Sequence, residues 1–209
     1  MFFAVILVAI LAGISPGPDF VVVTNNTVTH GKRAGIATAL GVAAALAVHA
    51  TYSILGLTYL LVSYHLLFQT VQIAGAVYLA YLAVTSIVSS FRISTAPAAH
   101  LESDLRQKTN LAGFRDGLLC NLLNPKAYVF FLSIFSQFMT VTTPPWVEWI
   151  YGLEVVVTIG AWFVLVAVAL STPFFRHLFL RLRKWIERLL GVVLLTFAGK
   201  IATAVITGK

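Results

Sequence analysis

The sequence predicts an all-α, polytopic membrane protein of six transmembrane helices, arranged as two inverted three-helix repeats with broken first and fourth helices. Three observations carry that expectation. Of 209 residues, 59% are hydrophobic and only 10% are charged, where a soluble domain carries about 25% charged residues. No Asp, Glu, Lys or Arg occurs between Ala34 and Phe91, a run too long for one crossing of roughly 20 residues. Each half also opens with a span that carries proline deep in an apolar run, Pro16 and Pro18 in one and Pro125 in the other. The mean hydropathy of +0.93 excludes a water-soluble globule. The 14 Lys and Arg against 7 Asp and Glu sit on too little polar surface for nucleic-acid binding. With Cys120 as its single cysteine, the chain can form no intrachain disulfide and no CxxC-type zinc or redox site.

The spans read as about Phe2–Thr27, Ile36–Val62, Leu66–Ser90, Leu111–Thr140, Trp146–Leu170 and Leu189–Ile206. The long uncharged stretch divides at the polar Ser63-Tyr64-His65. The first span lacks the basic segment that opens a secretory signal, so it is expected to be retained. Basic residues follow the first, third and fifth spans: Lys32 and Arg33, then Arg92, Arg106, Lys108 and Arg115, then Arg176 to Arg188. The second and fourth connections carry none. The excess of Lys and Arg on cytoplasmic loops then puts both termini outside. One transmembrane domain covers 1–209, with a first repeat of about 1–91, a polar cytoplasmic loop of about 92–110 and a second repeat of about 111–209. Three spans per half make the halves face opposite ways, as in inverted-repeat transporters. The third and sixth spans add a weak match, Ala74-Gly75-Ala76-Val77-Tyr78-Leu79 against Leu190-Gly191-Val192-Val193-Leu194-Leu195.

Ile14-Ser15-Pro16-Gly17-Pro18-Asp19 cannot continue an ideal helix, because two prolines lack a backbone donor and Gly17 is conformationally permissive. Pro125 breaks the fourth span, and Asn124 before it suits the cap of the half-helix that follows. In a bilayer the freed backbone groups must face protein or a water-filled cavity. Half-helix starts aim N–H groups and a positive dipole end at the break, which favours an anionic group there.

Asp19, Lys126, Glu154 and Lys200 fall inside the predicted spans, each at a cost of about 2.5–3.5 kcal/mol on insertion scales. Superposing Pro18 on Pro125 superposes Asp19 on Lys126, an acid on a base. An inverted-repeat axis would bring both to one central region, as a polar site or as a structural ion pair. Lys200 can snorkel outward, and Glu154 is less able to. His49, with Thr51 and Tyr52, reads as a hydrogen-bonded packing cluster, and Asn121, about one turn from Lys126, as a cavity-lining amide.

Ser15-Pro16-Gly17-Pro18-Asp19-Phe20 resembles the first-span signature of the lysine-exporter-type (LysE/RhtB) superfamily of amino-acid exporters. The segment from Gly113 to Ala127, with its Asn124-Pro125-Lys126 element, resembles the fourth, and the likeness is closest to the threonine/homoserine exporter branch. The resemblance extends over nearly the whole chain. It implies a bacterial cytoplasmic-membrane protein that exports small neutral amino acids in exchange for protons, needs no cofactor and leaves room for a homodimer. The expected substrate site is Asp19, Lys126, Ser15, Gly17, Asn121 and Asn124, with Asp19 accepting from the ammonium and Lys126 holding the carboxylate. Asp19 and Glu154 are the expected proton-coupling residues.

Other readings are weaker. A channel-like membrane subunit, or export of another solute or an ion, fits the spans as well. Two of the four intramembrane charges are lysines, which argues against a metal site. An intramembrane enzyme would need a group to activate Ser15, and His49 has no acidic neighbour in sequence. No GxxxxGK[ST] motif supports ATP-driven pumping.

Overall fold

The computed structural model describes residues 2–14, 17–64, 109–140 and 142–172 without interruption, and scattered positions of 66–88 and 174–196. Six α-helices and no strand occur among the described residues: α1 (Phe2–Ile14), α2 (Pro18–His30), α3 (Lys32–Ser63), α4 (Asn110–Leu122), α5 (Pro125–Phe138) and α6 (Pro145–Leu170).

The helix boundaries follow local chemistry. α1 ends where the Ser-Pro-Gly-Pro segment begins, and α2 restarts with Pro18 in its first turn, where the missing N–H is no loss. Gly31, at φ 89°, makes the corner between α2 and α3; a side chain there would be strained. Thr109 caps α4 by accepting from the Ala112 N–H at 3.2 Å. Asn124 caps α5 by accepting from the Lys126 N–H at 3.0 Å.

Lys32–Leu57 and Pro145–Leu170 are each long and apolar enough to cross a membrane. The predicted first and fourth spans are instead bent pairs, α1 with α2 at 61° and α4 with α5 at 60°. If each pair crosses once, the described residues supply four spans. The predicted third and sixth spans, Lys200, Ser15 and Pro16 lie outside the continuously described residues.

α3 is the central post, packed against α2, α4, α5 and α6. Its contact with α4 is made by backbone. A Cβ on Gly41 would strike the Phe114 carbonyl oxygen, and one on Gly117 would strike the Thr38 carbonyl oxygen. Small residues allow this approach in a membrane interior, where packing rather than hydrophobic exclusion holds helices together. A polar tie reinforces it: the Asn26 Nδ2 of α2 donates to Thr38 Oγ1 of α3 at 2.9 Å and to Asp116 Oδ2 of α4 at 3.1 Å. Phe131, Ile134 and Phe135 of α5 fill the core beside α3 and α6. On α6, Val155, Ile159 and Phe163 point inward while Leu153, Val157 and Leu165 are exposed; an apolar outer stripe is what lipid requires.

Gly117→Val should therefore force α3 and α4 apart and lower stability by about 1–3 kcal/mol, the usual cost of overpacking. Thermal unfolding in detergent reads the loss. Gly56→Ala, at a glycine with nothing near its missing Cβ, should leave the midpoint within a degree or two.

Candidate functional site

Both breaks open onto one cavity of about 40 Å³. Gly17, Asp19 and Phe20 line it from the first break, Asn121, Lys126 and Ala127 from the second. Ala12, Gly13, Leu46, Phe130, Ile159 and Phe163 complete the wall. The structure thus brings together Asp19, Lys126, Gly17 and Asn121, with Asn124 bonded to Asp19. It leaves Glu154 off the cavity wall, on α6 more than a turn before Ile159.

The second break is held by a substitute donor. Pro125 cannot donate to the Asn121 carbonyl four residues back, where an α-helix would place a hydrogen bond. His49 of α3 donates to that carbonyl from Nε2 at 3.0 Å, and the Asn124 N–H reaches it at 3.0 Å. A neutral His49 ring that donates from Nε2 accepts at Nδ1, where the Tyr52 hydroxyl bonds it. The expected packing cluster is therefore real for His49 and Tyr52. Thr51 takes no part: it donates to the Ala47 carbonyl at 2.8 Å on its own helix.

The carboxylate is held by amides. Asn121 Nδ2 and Asn124 Nδ2 both donate to Asp19 Oδ2, each at 3.0 Å. Asp19 also sits in the first turn of α2, whose positive dipole end stabilises a negative charge. Lys126 acts on Asp19 through charge. Its position in the first turn of α5 places a cation at a positive dipole end, so an anion beside it is favoured. Two buried oxygens on this site, Asp19 Oδ1 and Asn121 Oδ1, accept no hydrogen bond from the described residues. The Cys120 thiol, a weak donor, lies beside Asp19. Buried acceptors without donors are rare enough to need a reason.

Glu154 Oε2 is likewise buried without a hydrogen-bond partner. Two further acids escape a reading of the sequence by spans. Asp116 anchors the tie to Asn26, and Glu148 is 4% exposed in the first turn of α6. Asp116 could have been found from Gly113 and Gly117, which flank it at helical spacing on the face that meets α3.

An apolar helical bundle with two proline-broken helices around a charged cavity defines a membrane transporter rather than an enzyme. The model of the LysE type translocator family matches residues 10–205. The chain belongs to that family of amino-acid efflux transporters. It is 32% identical over 200 residues to a threonine efflux protein of Salmonella typhi, covering 95% of this chain and 94% of the relative. It is 31% identical to a threonine efflux protein of Escherichia coli K12 over the same shares. To a leucine efflux protein of Salmonella choleraesuis it is 29% identical, over 93% of this chain and 91% of the relative. No solved structure matches.

His49→Leu should remove one of the two donors to the Asn121 carbonyl and cost about 0.5–1.5 kcal/mol, the net worth of one hydrogen bond. His49→Gln, which keeps an N–H donor, should recover most of it. Denaturation midpoints of the two variants in detergent check the difference, and equal losses would show that ring packing rather than the hydrogen bond matters.

Proposed function

We propose that this chain is a multi-pass antiporter of the bacterial inner membrane. It exports small neutral amino acids, the class that includes threonine, homoserine and leucine, in exchange for protons. One observation carries the reading: Asp19 Oδ1 and Asn121 Oδ1, buried acceptors without donors, lie on the same cavity as the Lys126 cation. A zwitterionic amino acid presents an ammonium and a carboxylate one carbon apart. The ammonium donates to the two oxygens. The carboxylate goes to Lys126 and the start of α5. Charge inside the low-dielectric bundle then stays balanced in the empty and the filled site. The alternative, a purely structural charge cluster, has no use for the two free acceptors.

The cavity of about 40 Å³ is only a few times the 10–15 Å³ or so that a single water needs. An amino acid therefore enters only when the helices part. Two bends of 61° and 60°, one at each proline-bearing break, support two inverted repeats that rock around the site. Asp19 is the proposed proton carrier, exchanging its proton according to whether ammonium, water or Lys126 is its neighbour. Glu154, off the cavity, is the second candidate.

Asp19→Asn should insert and fold, yet lose accumulation of amino acid driven by a pH gradient in inverted vesicles. Accumulation that survives in this variant moves the proton role to Glu154. The proposed orientation has both termini outside. A cysteine placed at Thr142 should then react with an impermeant thiol reagent added to intact cells, and one at Lys108 should not; the opposite pattern reverses the topology.

A further inference from the structure

Asp19, Asn121 and Lys126 account for the two charged groups that every amino acid shares, so selection among amino acids falls to the rest of the cavity wall. That wall is supplied by four helices: Phe20 from α2, Leu46 from α3, Phe130 from α5, and Ile159 and Phe163 from α6. All five are at most 7% exposed. Between them stand alanine and glycine, which leave room without adding polarity. No hydroxyl lies among the described lining residues, and no charge beyond Asp19 and Lys126.

From this wall we infer that the chain selects amino acids with an aliphatic side chain, of the leucine, isoleucine, valine and methionine kind, over those with a hydroxyl. The inference rests on the amino-acid site proposed above and narrows its substrate. The physical reason is desolvation. A threonine or homoserine hydroxyl pressed against phenyl rings and aliphatic carbons gives up its water and gains no partner, whereas an isobutyl group gains by leaving water for an apolar wall. A lysine or glutamate side chain would bring an uncompensated charge into the same place, which is worse still. Discrimination by an apolar pocket is modest, on the order of 10- to 200-fold for a change of one small group. Relatives named for threonine and for leucine efflux stand at similar identity to this chain, so likeness alone leaves the choice to the wall.

Counterflow in proteoliposomes containing the full-length chain tests it. Unlabelled amino acids, one at a time, compete with labelled leucine and labelled threonine. Leucine, isoleucine, valine and methionine should each compete at concentrations about tenfold or more below those needed of threonine, serine or homoserine. Leu46→Thr, which places a hydroxyl in the wall, should narrow that gap severalfold. Threonine or serine competing as well as leucine in the unaltered protein overturns the inference while leaving the amino-acid site intact. Absence of exchange with every amino acid removes both.

Discussion

A proline in a membrane helix leaves a carbonyl without its donor, and the bilayer offers no water to replace it. That single debt organises the centre of this protein. Pro125 cannot donate to the Asn121 carbonyl, and His49, 72 residues away in sequence, supplies an N–H there beside that of Asn124. The bond pins the bend of α4 and α5 to the central helix α3. It also fixes the residue whose amide holds Asp19. The backbone defect and the Asp19 carboxylate are thus joined by one hydrogen-bonded path, from Tyr52 through His49 and Asn121 to Asp19.

The two breaks are similar in geometry and opposite in charge. Each presents the start of a helix to the cavity, and each start carries a partial positive charge. At α2 that charge meets Asp19 and is compensated. At α5 it meets Lys126 and adds to it. A helix start is worth about 0.3–1 kcal/mol to an exposed charge and more to a partly buried one. The same backbone feature therefore makes one side of the cavity content with its own carboxylate and leaves the other suited to a carboxylate from outside.

Much of this was legible in the sequence because it depends on short-range chemistry. Proline lacks a donor wherever it stands, so Pro18 and Pro125 announced the breaks, and Asn124 its cap. Intramembrane charge is conspicuous, so Asp19 and Lys126 stood out. What sequence could not supply was pairing across the bundle. It suggested Lys126 as the partner of Asp19, and did not show that Asn121 and Asn124 would both donate to the carboxylate. It read His49 as a local packing residue, since nothing in a linear pattern links it to a carbonyl 72 positions on. Asp116 was passed over because its polar partner Asn26 lies 90 residues earlier. The α3–α4 contact is equally non-local: glycines at 41 and 117 are ordinary alone and become a close seam only when the helices cross.

The two amide donors on Asp19 change what binding demands. If Lys126 filled the coordination of Asp19, a substrate ammonium would have to break a strong, desolvated charge pair before it could bind. With Asn121 and Asn124 both directed at Oδ2, that oxygen is satisfied by neutral donors, and Oδ1 accepts no hydrogen bond from the described residues, which suits the proposed ammonium site. Lys126 adds a cation on the same cavity and acts on Asp19 through charge. Neutral donors also weaken less than a cation would when Asp19 takes up a proton, because only one of the carboxyl oxygens need carry it. In the proposed exchange cycle the carboxyl group would alternate between proton and ammonium on Oδ1 while the scaffold around Oδ2 holds still.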